Sequence, residues 1–347
     1  MSFGVWDGSF VSFELWDGVK NYIINMPRKA RIDYPGLTLH VMAHTFDKML
    51  LFRDNCDKKQ YLSYLSKRIH ETGCICFAWA LMNNHLHLLI KTSENPLWSL
   101  MRPLQSEYSR YYNKKYQRKG PLFHDRYKSI ATQDQLYLEQ LVCYIHLNPI
   151  RAGICKTLKS LRRYRWSGHA CLMGVYPNDF QDSKTVQKRF GKTPSSARAA
   201  YEQMLRKQLH TPVEDDLTGN VRRSNKGTKS KTSPEIWVIG DAKFQKSVIK
   251  KDIDQKLTIA RFKREGIDLH GLLVRVASKM NVPEELIVFA SKRTAQAEAR
   301  KVFCYFAGML QFPTRQTAAF LGIQQAAVTN AARQGRIIVQ QSSLTII

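Results

Sequence analysis

Two stretches of this chain carry reactive residue types at spacings that let them act together. The first is Asn83-Asn84-His85-Leu86-His87-Leu88-Leu89-Ile90-Lys91, in which two histidines flank a leucine. Side chains along a strand alternate faces, so His85 and His87 point one way while Leu86 and Leu88 point the other. Two imidazoles side by side on one face are a natural pair of metal ligands. A pair of buried, hydrogen-bonded sheet histidines is the alternative that an isolated His-x-His leaves open. The second stretch follows Thr132. Leu138, Leu141, Val142 and Ile145 fall at i, i+3, i+4 and i+7, the core-facing stripe of a helix. Tyr144 and Asn148 lie four apart on a neighbouring stripe and share a face.

The elements that must position these residues are legible around them. Cys74 to Met82 is an unbroken apolar run of strand formers, too short to span a membrane. Asn83-Asn84 then makes a hairpin turn into the histidine strand. Leu37 to Ala43 alternates as a first strand, and Tyr61, Leu62, Leu65 and Ile69 place a helix over 57–69. A second helix is expected over 96–116, with Trp98, Leu100, Met101 and Leu104 apolar, until Gly120-Pro121 breaks the pattern. The run 123–129 reads as a last strand. Strand, helix, strand, strand, helix, strand is the split βαβ, ferredoxin-like order, an α+β domain with an antiparallel sheet. Thr132 and Gln135 have the form of a capping box for the helix of Tyr144, and Asn148-Pro149 is expected to end it.

Composition bounds the partners. Lys and Arg number 54 against 28 Asp and Glu, giving a net charge of +26 and a pI near 9.9. Basic runs recur along the whole chain, which points to an anionic partner, with nucleic acid the default. The seven cysteines form no Cys-x-x-Cys pair, which argues against a zinc finger or disulfide framework and fits a reducing compartment. No apolar run is long enough for a membrane helix and no signal-peptide pattern is visible, so the expectation is a cytoplasmic, nucleoid-associated protein without membrane contact.

Four segments are expected. Residues 1–25 read as an extension, with Met26 opening a basic Pro27-Arg28-Lys29-Ala30-Arg31 that has the texture of a true start. Residues 26–175 hold the two chemical stretches. Residues 176–250 combine a basic amphipathic helix with a linker, since 221–233 carries five basic residues and no acidic one. Residues 251–347 read as a small helical domain whose end, 314–335, has helix-turn-helix grammar. Ala318 and Leu321 would pack the first helix, Gly322 makes the turn and Val328 anchors the second. Gln324, Gln325, Thr329, Asn330 and Arg333 are then expected to face outward as DNA-reading residues. A helical hairpin without nucleic acid is the alternative.

Together the motifs resemble a known family. His85-Leu86-His87 matches the HUH motif. Tyr144-Ile145-His146-Leu147-Asn148-Pro149-Ile150-Arg151-Ala152-Gly153 is similar to the tyrosine-helix signature of single-tyrosine HUH transposases, specifically the REP-associated tyrosine transposases. The segments 26–36, 120–129 and 166–169 are similar to that family too, and the likeness covers roughly 26–175, in order. The C-terminal part resembles the DNA-binding domain of the bacterial replication initiator. One departure is Ala43-His44-Thr45-Phe46, where the family has an Arg- and Gly-containing turn.

The resemblance implies a divalent cation, Mg²⁺ or Mn²⁺, held by His85, His87 and Asn148, with Tyr144 as nucleophile. It implies nicking and strand transfer on single-stranded DNA hairpins through a 5′-phosphotyrosine, by a monomer or a homodimer. Arg126, Lys128 and Arg151 would contact the strand, and duplex DNA would meet the C-terminal domain. The competing reading is a non-catalytic DNA-binding protein derived from a transposase. Tyr111, Tyr112 and Tyr116 are expected to stack on bases or to cover the fold.

Overall fold

A computed structural model describes residues 32–46, 49–210, 238–289, 294–342 and 344. The expected N-terminal extension and the basic linker run 221–233 lie outside the described residues. The strands are β1 (Thr38–His44), β2 (Ile75–Leu81), β3 (His85–Lys91), β4 (Lys128–Thr132) and β5 (Val238–Ile239). They form one sheet in the order β2-β3-β1-β4-β5. The first four are antiparallel neighbours, with α1 (Asn55–Thr72) and α2 (Leu97–Lys115) as crossovers, so the ferredoxin-like α+β order is present.

The register explains the layers. Leu39, Val41, Ala43, Leu86, Leu88 and Ile90 share one face and pack on Tyr61, Leu65 and Ile69 of α1 and Leu100, Leu104 and Tyr108 of α2. The opposite face, with Ala78, Ala80, Leu89 and Ile130, packs on α3 (Asp134–Arg151) through Leu138, Leu141, Val142 and Ile145. Two short helices follow, α4 (Leu158–Arg162) and α5 (Gly168–Leu172). Then α6 (Ser183–Phe190) and α7 (Pro194–Leu209) share that core through Val186, Tyr201 and Leu205. A fully buried polar knot ties them in: Tyr201 Oη lies 2.7 Å from His146 Nδ1 and 2.8 Å from His169 Nδ1.

Several local expectations need correction. The last strand is 128–132 rather than 123–129; 121–127 is irregular and meets the end of β1 and the residues just beyond it through the Thr45–Phe123 bridge. Thr132 is not a helix cap, because it still pairs with Thr38 in the sheet, and the N-cap Gln133 makes no side-chain capping bond. Asn148-Pro149 does not stop α3, which runs on to Arg151. Proline cannot donate to the carbonyl four residues back, that of Ile145. Asn148 Nδ2 reaches it instead at 3.4 Å, and the Tyr144 carbonyl at 2.9 Å. Strand β5 pairs parallel to β4 and was not legible, being two residues long.

The C-terminal region is helical: α8 (Ala242–Arg264), α9 (Leu269–Met280), α10 (Glu284–Val288), α11 (Thr294–Met309), α12 (Thr314–Leu321) and α13 (Gln325–Ser342). Leu272, Val276, Val302, Phe303, Leu321 and Val328 are among its core. Gly322, at φ 64°, makes the left-handed turn between α12 and α13.

Candidate active site

The sheet face that meets α3 carries four histidines. His85 and His87 stand two apart on β3, with ring centroids 5.1 Å apart. Register puts His44 opposite His85, and their rings stack at 5.0 Å. His40 stacks on His87 at 5.3 Å, its Nε2 lying 3.0 Å from His87 Nδ1. His40 and His44 escaped the sequence reading, although their i, i+4 spacing on a strand was a signal that they share a face.

Burial holds these imidazoles neutral. It lowers His40 and His85 to about 4, with His44 adding to the effect on His85. His87 is pushed well below the ordinary value by burial and then by His40, His85 and His44. Burial also lowers His44, helped by Lys128 and His124. Neutral imidazoles carry the lone pair that a cation needs.

Helix α3 delivers the tyrosine. Because Leu141, Val142 and Ile145 are buried against the sheet, the neighbouring stripe bearing Tyr144 and Asn148 lies half-buried at its margin. The Tyr144 ring stands edge-on to His87 at 6.2 Å and to His40 at 5.8 Å. Arg151 covers that ring, its guanidinium carbon 5.1 Å from the centroid. Asn148 gives its amide nitrogen to the helix backbone, so Oδ1 is the atom it could offer a ligand. Among the described residues no three His, Cys, Asp or Glu side chains converge as a ready metal set. A cation on this face therefore needs a donor of another type, and an amide oxygen beside two neutral imidazoles suits one that keeps open positions.

The surroundings are open and basic. Beside His85 a cleft of about 270 Å³ is lined by Leu50, Met82, Asn83, Asn84, Ala152 and Ile154. Phe46, 47% exposed, stacks on exposed His124 at 5.5 Å, and the His124 amide bonds the His44 carbonyl. Lys128 lies near His44, and both it and Arg126 are exposed. The tyrosines of α2 cover the fold: Tyr108 and Tyr112 are buried and donate to the carbonyls of Leu51 and Leu50. Tyr111 and Tyr116 donate to the carboxylate of Asp57.

The expected DNA-reading residues do not all face outward. Gln324, Gln325 and Asn330 are exposed, but Thr329 is buried and donates to the Glu71 carbonyl at 2.7 Å. Arg333 donates to the Gly73 carbonyl at 2.5 Å. The C-terminal turn of a helix leaves carbonyls without partners and carries partial negative charge, so a hydroxyl and a guanidinium are drawn to it. Tertiary packing thus turns this face of α13 onto α1. Gly73, at φ 68°, is both the helix cap and the contact, since a Cβ there would fall 2.5 Å from a Thr329 methyl.

Comparison with known proteins adds a family. Residues 33–148 match the family model described as "Transposase IS200 like", a span that runs from just before β1 to Asn148. No curated protein matches the chain. One similar solved structure is described as "Structure of the REP associates tyrosine transposase bound to a REP hairpin". It is 16% identical, with a TM-score of 0.37, over 45% of this chain and 94% of that one.

Proposed function

We propose that this chain is a DNA transposase like the IS200-like family whose model its residues 33–148 match, and that it cuts and rejoins single-stranded DNA through a covalent bond to Tyr144. The observation that carries the reading is the Tyr144 ring standing edge-on to His87, the imidazole paired with His85 on β3.

A phosphodiester is anionic and repels a nucleophile, so the transfer needs positive charge at the phosphate. A divalent cation, Mg²⁺ or Mn²⁺, held by His85, His87 and Asn148 would supply it. Tyr144 Oη attacks phosphorus, the bond to the 3′ oxygen breaks, and a 5′-phosphotyrosine and a free 3′-hydroxyl result. Attack by another 3′-hydroxyl reverses the step and frees the tyrosine, conserving the bond energy. A phenol has a free pKa of about 10, so it must lose its proton on the way. The Arg151 guanidinium sits over the ring and brings positive charge beside the phenol.

The strand reaches the site along the basic side, where Arg126 and Lys128 meet phosphates and the Phe46–His124 stack offers a base a platform. Hairpin DNA is the substrate form that the family resemblance favours. The helical region adds affinity through Gln324, Gln325 and Asn330 on the open side of α13. We assign 26–175 to the catalytic domain, 176–250 to the connecting region and 251–347 to the helical domain.

The test is covalent capture. Labelled single-stranded hairpin DNA is incubated with wild type and Tyr144→Phe, with Mn²⁺ or with chelator. An adduct that needs both Tyr144 and metal is expected. DNA binding without any adduct would favour the binding-only reading, and an adduct surviving in Tyr144→Phe would name another nucleophile.

A further inference from the structure

The hairpin turn that precedes the histidine strand does more than reverse the chain. Asn84 Oδ1 lies 2.7 Å from His85 Nδ1, and His40 Nε2 lies 3.0 Å from His87 Nδ1. Each histidine of the pair is therefore engaged at the same ring atom, by a residue from a different place: the turn in one case, strand β1 in the other. We propose that Asn84 and His40 are positioning residues that hold the proton of each histidine on Nδ1 and leave both Nε2 atoms as the ligating lone pairs.

The chemistry of the two contacts supports this. An amide oxygen only accepts, so a bond from His85 to Asn84 Oδ1 requires a proton on His85 Nδ1. Its Nε2 must then carry the lone pair in the neutral ring. For His87 the partner is a second imidazole, which accepts at Nε2 when its own proton sits on Nδ1. His40 is fully buried and its Nδ1 has no partner among the described residues, so that atom does not choose between the tautomers, and it is the lone pair a cation needs at His87 Nε2 that assigns the proton to His87 Nδ1. Metal-binding histidines are held by such bonds to the far ring nitrogen, which set the tautomer and the ring angle. The stacking of His40 on His87 at 19° between planes restrains the ring further.

The inference deepens the metal reading of the same site, and the experiment separates the two. Full-length protein labelled with ¹⁵N-histidine is examined without metal by long-range proton–nitrogen correlation, which reports the protonated nitrogen of each ring. His85 and His87 are expected as Nδ1–H forms. An Nε2–H form at either residue overturns the role of its partner. Mn²⁺ binding is then followed by electron paramagnetic resonance. Asn84→Ala is expected to weaken it about 10–100-fold, while Asn84→Asp, which keeps an accepting oxygen, restores it and the Nδ1–H form. His40→Gln tests the second contact in the same way. Equal binding by Asn84→Ala and wild type would sink the positioning role. Nδ1–H forms with no Mn²⁺ binding by wild type would uphold the tautomer assignment and overturn the metal reading.

Discussion

The ring of Tyr144, on α3, stands edge-on to the ring of His87, on β3, with centroids 6.2 Å apart and planes at 88°. Two residues separated along the chain by one helix and one strand thus meet across one sheet–helix interface. Tyr144→Phe should leave this packing intact and remove only the nucleophilic oxygen. Adduct formation is expected to fall by about 10³-fold or more, as for other nucleophile deletions, with hairpin affinity within a few-fold of wild type. Quantified adduct yield and a binding isotherm on the same DNA check this.

Charge should dominate affinity. With a net charge of +26, binding to single-stranded DNA is expected to weaken steeply with salt. Taking away one cationic side chain that pairs with a phosphate should reduce the logarithmic salt slope by about 0.7. Arg126→Ala and Lys128→Ala, both at exposed positions, should each show that change without any fall in thermal stability. Affinities measured over a range of salt concentrations give the slope; unchanged slopes would move the DNA path elsewhere.

Glu94 should make stability depend on pH. It is 3% exposed, and burial raises it to about 7, against the opposing pull of Arg336 and Arg333. One carboxyl oxygen lies 3.5 Å from Arg336 Nη1, and the other is buried without a partner among the described residues. Tyr305 also faces the group. A carboxyl whose folded value is raised binds its proton more tightly when folded, so its contribution is full below about pH 4.5 and is lost as pH rises through about 7. Glu94→Gln should flatten the denaturation midpoint over that window and be the more stable form at pH 8, by up to about 3 kcal/mol. Parallel curves for the two proteins would refute this.

The helical region depends on one close crossing. A Cβ added at Gly335 of α13 would lie 2.0 Å from the Lys301 carbonyl oxygen of α11, which is backbone and cannot swing aside. Gly335→Ala should therefore force the helices apart and cost about 1–3 kcal/mol. Chemical denaturation followed by circular dichroism measures it.

What the sequence determined is the part of the site set by covalent periodicity. A strand alternates and a helix repeats every 3.6 residues, so His85 and His87 had to share a face, as did Tyr144 and Asn148. The order of strands and helices followed from the same periods, and with it the ferredoxin-like sheet. Only the tertiary structure decided that these two faces meet. It added His40 and His44, whose part depends on β1 lying beside β3 in one register. It carried α3 through Pro149, because Asn148 stands in for the missing donor. It buried Thr329 and tied the exposed Arg333 to the Gly73 carbonyl, because the open carbonyls at the end of α1 lie where α13 arrives. Each of these outcomes depends on which donors and acceptors distant segments bring together, and no local repeat encodes that.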